Sequence, residues 1–427
     1  MSRFSHLLRG AIGLGAIGIA ACGDADKMVL GPVDPTGGSI FKSYVAVGNS
    51  VTAGWQSNGL NDSTQRASYA RLFAIQAGTR FAYPSFPKPG CPVPTGNWVS
   101  GKSIDSLSPV PGGCTLRDAS QVSDILNNVA VPYAYAADLT VTGPGVIIPG
   151  NALNTLILGG LSQVDRALRA DPTFISFWVG NNETLFPATV GMLGGPAAGS
   201  PVPPLIPASV EIPLLKKALD SLKAGSPHLQ GGIVIGALRF TNTPRFFSVD
   251  SLRTAAKKTA FDAFTGKPSA ILANCVVGSG YLVSAEIAKA IRVYPAAGGH
   301  PPLISCGVTP AAPAPVGDIF ILDPGEIGAL NATTDAYNVY LKAKADTLGW
   351  AYLDPNVLLA PQKIGATPAI PAFPNFTSNT RDASTAVFGV LFALDGVHPT
   401  SLAQKLVANS MIDSVNAKFS TKLLKVP

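Results

Sequence analysis

Charge is scarce in this chain. Asp, Glu, Lys and Arg are 13% of its 427 residues, against about 25% in an average globular protein. The formal balance of +6 is too mild for a nucleic-acid surface, so that partner is excluded. Histidine is rare, four in all, and the five cysteines include no Cys-x-x-Cys pair, so neither a metal centre nor a metal cofactor is expected. Beyond the N-terminus no apolar run reaches the roughly 20 residues that a membrane-spanning helix needs. The nearest, 145–160, is broken by Pro149, Asn151 and Asn154. Glycine (44) and proline (37) are abundant instead, which makes the chain rich in turns and loops without being collagenous. With 47% hydrophobic residues and a mean hydropathy of +0.29 there is ample material for packed cores, and disorder throughout is excluded. The length suits two or three domains, or one α/β domain with long insertions.

The first residues read as an export leader. Arg3 and Arg9 make a positive start, and a short run of apolar and glycine residues ends in Ile19-Ala20-Ala21-Cys22. This resembles the lipobox of bacterial lipoproteins, which implies removal of residues 1–21, lipidation of Cys22 and a membrane held by lipid alone. Asp24 is not directly after the cysteine, and by resemblance to enterobacterial sorting this favours the outer membrane. Without the leader the balance is +4, from 29 basic and 25 acidic residues. Gly13-x-Gly15-x-x-Gly18 has the spacing of a dinucleotide loop, but it lies in the leader, without the flanking strand and helix such a loop needs. Cys91, Cys114, Cys275 and Cys306 allow three disulfide pairings in an exported chain. Sequential pairing is favoured, because Cys91 with Cys114 and Cys275 with Cys306 would each staple a Pro/Gly-rich stretch.

Residues 22–40 read as a tether and 41–420 as the folded part. Buried strands are expected at 42–47, 128–131, 174–179, 233–237 and 350–353. Helices are expected near 64–76, 161–169 and 327–348, the last stopped by Gly349. Alternating strands and helices imply an α/β fold with a mostly parallel sheet and the chemistry at the strands' C-terminal ends. Segments near 79–120, 185–212, 240–325 and 356–390 read as insertions over that end.

Three short blocks carry chemistry. Gly48-Asn49-Ser50 follows the first strand and presents a serine beside backbone N–H groups, as a nucleophile requires. Gly180-Asn181-Asn182-Glu183 follows the clearest strand, where an asparagine amide suits stabilisation of an oxyanion. Asp395-Gly396-Val397-His398 places a carboxylate where it can fold back and accept the ring N–H of the histidine. Ser401 then reads as a helix cap, with Gln404 three residues on. Together Gly48-Asn49-Ser50, Gly180-x-Asn182-Glu183 and Asp395-x-x-His398 resemble the SGNH, or GDSL-type, hydrolases across nearly the whole mature chain.

That resemblance implies a flavodoxin-like α/β/α fold with a five-stranded sheet and a cofactor-independent esterase or lipase acting on acyl esters. Ser50 would be the nucleophile, His398 the base and then the acid, and Asp395 its orienting group. The Ser50 N–H, a second N–H and Asn182 would form the oxyanion hole. Asn49 stands where the family often has aspartate, and Glu183 where aspartate is usual. The second block centres on glycine in the family, whereas the matching stretch 128–134 has Tyr133, whose N–H would be the second donor at the cost of glycine's freedom at positive φ. A carbohydrate O-deacetylase of the same fold, and a binding lipoprotein that has lost catalysis, remain open. His228 and His300 read as loop residues.

Overall fold

The computed structural model describes residues 26–29, 37–104, 117, 123–143, 145, 151–189, 191, 193, 204–293, 303–306, 320–377 and 386–427. The leader, Cys22, Cys114, His6 and His300 lie outside the described residues. No described helix is long and apolar enough to cross a membrane.

At the centre is a four-stranded, wholly parallel sheet. Its strands are β1 (Tyr44–Gly48), β2 (Phe174–Trp178), β3 (Gly231–Ile235) and β4 (Ala351–Leu353), in spatial order β4-β3-β2-β1. The strand expected at 128–131 runs beside β1 as an isolated parallel bridge, Ala46 to Asn128, held by Val129 N–H to the Ala46 carbonyl at 3.0 Å. Pairing there is cut short at Pro132, which has no N–H to give.

Every residue of β1, β2 and β3 is buried, which is why they read as continuous apolar runs. Their side chains alternate between two cores. Val45, Val47, Ile175, Phe177 and Val234 pack on one face against helices α3 (Gln163–Arg169), α5 (Ala208–Gly225) and α6 (Pro324–Leu348). Tyr44, Ala46, Phe174, Trp178 and Ile233 pack on the other against α2 (Tyr69–Ala77) and α7 (Ser401–Phe419). Between these elements in the chain come α1 (Ser50–Ala53) after β1 and α4 (Asn182–Thr189) after β2.

Several expectations need correction. The helix read over 64–76 is broken, with one helix ending at Arg66 and α2 starting after Ser68, whose hydroxyl caps the Arg71 N–H. The cap of α7 is Thr400, not Ser401. Gln404 lies outside any capping box and is buried, accepting from the Tyr69 N–H at 2.8 Å and donating to the Val51 carbonyl at 3.0 Å. Residues 26–29, assigned by sequence to the tether, form a strand antiparallel to 81–84, which would otherwise expose an unpaired edge. Two of the expected insertions are joined in a subdomain. Segments from 240–325 and 356–390 share one apolar core with Trp98, built round a small antiparallel sheet of Phe246–Ser248, Leu282–Ser284 and Ile321–Leu322. Cys275 is bonded to Cys306 in this subdomain, as the sequential pairing has it. Cys91 is also disulfide-bonded.

Gly48 marks how tightly the top of the sheet is packed. A Cβ there would lie 2.7 Å from Thr52 Cβ and 3.1 Å from the Trp178 carbonyl oxygen. Thr52 cannot turn away freely, because its hydroxyl is bonded to the Tyr69 hydroxyl at 2.9 Å. Gly48→Ala is therefore expected to cost about 2 kcal/mol in stability by overpacking, read as a lower midpoint in urea unfolding with unchanged slope.

Candidate active site

Ser50 opens the one-turn helix α1 at the C-terminal end of β1, with 7% of its surface exposed. That turn is fixed by contacts that bypass the serine hydroxyl. Gln404 holds the Val51 carbonyl, and Asn128 Nδ2 holds the Thr52 carbonyl at 3.0 Å. The hydroxyl itself lies 2.8 Å from His398 Nε2, and His398 Nδ1 lies 3.0 Å from Asp395 Oδ2. Residues 348 positions apart thus meet in one hydrogen-bonded line.

The carboxylate end of that line is heavily supported. Asp395 Oδ1 accepts the N–H groups of His398 (2.8 Å) and Val397 (3.0 Å), and Oδ2 accepts the Asn58 N–H at 3.0 Å. Burial by itself would raise its pKa. The opposing charge of His398 and the hydrogen bonds from His398 and Val397 outweigh that and hold the carboxyl well below the usual carboxylate range.

Sequence reasoning missed two of the residues around it. Asn58 sits in a tight turn with Ser57, both at positive φ (53° and 58°), closed by Gln56 and Gly59. Ser-Asn-Gly is a turn signal, but nothing local says that its N–H would meet a carboxylate 337 residues away. Arg245, from the inserted subdomain, donates from Nη1 to the Asp395 carbonyl at 2.8 Å.

Asn182 begins α4 and is buried, with its amide oriented by donating one N–H to the Ala134 carbonyl at 2.7 Å. A carboxamide has two such hydrogens, so one remains for a ligand. Among the described residues no acceptor takes the backbone N–H of Ser50 or of Tyr133. Tyr133 takes up φ +67°, the left-handed region that glycine occupies without penalty, and its ring packs edge-on against Trp55 at 5.2 Å. The loss of conformational freedom expected from the sequence is thus met by enforcing the conformation. Burial and the nearby Asp395 charge push its phenol up to about 12. Gly180, at φ +106°, supplies the left-handed turn that β2 needs before Asn182.

Asn49 is fully buried, and neither polar atom of its side chain has a protein partner among the described residues. Glu183 points away from the serine. Its Oε1 accepts the Ala136 N–H at 2.8 Å, and its carboxyl neighbours that of Glu211 on α5. Burial is the main cause that raises both carboxyls. For Glu211 the Glu183 charge adds to it, and Asp138 also faces the pair, with the phenols of Tyr135 and Tyr337 close by. Glu183 Oε2 and Glu211 Oε1 are buried with no hydrogen-bond partner among the described residues. A carboxyl whose pKa is raised on folding stabilises the fold below its unfolded value near 4.5 and loses that contribution as the pH rises through the folded value. Melting temperature in the wild type is accordingly expected to fall as the pH rises above the unfolded value near 4.5. Glu211→Gln, which keeps a donor without the ionisation, is expected to flatten that slope.

His228 lies apart from the site, exposed and bonded to Asp171 at 2.8 Å. The sulfurs of Cys275 and Cys306 belong to the inserted subdomain.

No family model matches the chain, and no curated protein matches its sequence. Among solved structures it is similar to an extracellular lipase from Streptomyces rimosus, at 14% identity over 88% of this chain and 98% of that one, with a TM-score of 0.36. It is also similar to an acetylxylan esterase from Geobacillus stearothermophilus (9% identity, 88% and 94% covered, TM-score 0.36). A phospholipase A1 from Streptomyces albidoflavus gives 13% identity, 88% and 98% covered, and a TM-score of 0.34. At such identities and TM-scores the likeness is distant, and the site stands on its own geometry.

Proposed function

We propose that this chain is a serine hydrolase of carboxylic esters. The observation that carries this reading is the unbroken line from Ser50 Oγ through the His398 ring to a buried, multiply bonded Asp395 carboxylate. In this reading His398 Nε2 takes the Ser50 proton as Oγ attacks the ester carbonyl. Asp395 fixes the tautomer that leaves Nε2 free and stabilises the imidazolium. The oxyanion is received by the N–H groups of Ser50 and Tyr133 and the second amide hydrogen of Asn182. His398 then returns the proton to the departing alcohol, and water completes the cycle by the same path.

The flavodoxin-like reading of the fold is supported by the bridge at Asn128. Counting that segment beside β1 gives the order 2-1-3-4-5 from one edge, with the site at the switch point between the first and third strands. For location, the leader and Cys22 support a lipid-anchored protein of the bacterial envelope, at the outer membrane.

Hydrolysis of p-nitrophenyl esters from acetate to palmitate by the purified protein tests the reaction class. Turnover of any member that vanishes in Ser50→Ala supports it. An inert wild type beside an active Tyr133→Gly variant would instead favour a binding lipoprotein in which Tyr133 blocks the oxyanion hole.

A further inference from the structure

Two clefts that differ in polarity leave Ser50 and His398. One, lined by Asn58, Thr189 and Arg245 as well as by Trp55, Tyr133 and Phe186, is the more polar of the two. The other is a narrow space of about 60 Å³, partly open to solvent, and its wall is almost wholly carbon. Leu238, Phe240, Leu358, Leu391, Leu406 and Val407 form that wall.

The origin of this second cleft lies in the packing. Val407 and Leu358 belong to the core under the sheet, Leu238, Leu391 and Leu406 to the core of the inserted subdomain, and Phe240 to a third, smaller cluster. Along this seam their apolar edges face each other without filling the gap, and the seam ends at the serine hydroxyl. A space with so little polar wall receives an alkyl group more readily than a sugar hydroxyl or a charged head.

Resting on the hydrolase reading, we propose that this seam is the acyl-chain site, so that the enzyme prefers medium or long acyl chains over acetyl. The alcohol portion then occupies the polar cleft beside Arg245 and Asn58. Each methylene buried in the seam is expected to raise kcat/KM about threefold until the space is filled. The inserted subdomain thereby sets specificity for a reaction carried by the sheet.

The test is the ratio of kcat/KM for p-nitrophenyl octanoate to that for the acetate, expected to be at least about 50 in the wild type. In Leu406→Trp, where the indole would occupy the seam, that ratio is expected to fall at least about tenfold. Should Leu406→Trp not fold, Leu406→Ala, which widens the seam, is expected to move the preferred chain towards longer acyl groups. Alkyl acetates of increasing alcohol length are expected to give no comparable rise. A ratio that is the same in wild type and both variants, with Ser50-dependent turnover intact, overturns the proposal, as does a preference that follows the alcohol instead of the acyl group. Absence of Ser50-dependent turnover on every ester is a different result, and it overturns the hydrolase reading together with this one.

Discussion

Ser50→Ala is expected to lower kcat for ester hydrolysis by about 10⁵-fold or more while the protein keeps its fold. The first half follows from the line of hydrogen bonds, since removing the hydroxyl leaves His398 Nε2 with no nucleophile to deprotonate. The second half follows from how α1 is held. Its turn is anchored by Gln404 and Asn128 through the carbonyls of Val51 and Thr52, and these contacts remain when Oγ is gone. Melting temperature and urea midpoint are therefore expected to stay close to wild type, so the loss reads as chemistry. Residual rate above that in water would come from the donors of Ser50, Tyr133 and Asn182, which survive the substitution.

Asp395→Asn is expected to have the second-largest effect, and to act on stability as well as rate. Every group around this carboxylate is a donor: the N–H groups of Asn58, Val397 and His398, and the His398 ring. An amide must turn its own NH₂ towards some of them. Facing the ring, the NH₂ favours the tautomer with the proton on Nε2, which cannot take the serine proton, and a loss of about 10⁴-fold in kcat is expected. Facing the backbone, it opposes a buried N–H and costs about 2 kcal/mol. The pH dependence separates this from a packing defect. The folded carboxyl is held below its unfolded value of 3.8, so its contribution to stability is present above about pH 4 and is lost as the pH falls through the folded value. In the asparagine variant that part of the acid sensitivity is expected to disappear, as followed by thermal melts between about pH 2 and pH 7.

What was legible in the sequence was whatever lies within a few residues of itself. Strands buried on both faces announce themselves as apolar runs, and four of five expected strands stand in the central sheet at nearly the expected positions. Asp395 and His398 are three apart, and Asn182 follows a strand, so each block suggests its own local geometry. Contacts that depend on distant chain were hidden. Gln404 has the spacing of a capping residue, yet it is drawn inward by the free N–H at the start of α2 and the Val51 carbonyl. Asn58 acts through its backbone, which side-chain chemistry does not reveal. The core shared by the insertions draws single apolar residues out of Pro/Gly-rich stretches with neither a period of 2 nor one of 3.6. Tyr133 was legible as an oddity, but that its backbone is held left-handed all the same depends on Trp55 and Phe186 around its ring.

The proposed reaction turns on Ser50 being a nucleophile activated by His398. Its most direct test is intact-mass and peptide analysis after treatment with a fluorophosphonate, which reacts with an activated serine whatever the natural ester is. A single adduct is expected on Ser50, formed rapidly in the wild type, slowed by orders of magnitude in His398→Ala and absent in Ser50→Ala. An unlabelled wild type, or an adduct that persists in Ser50→Ala, would contradict it.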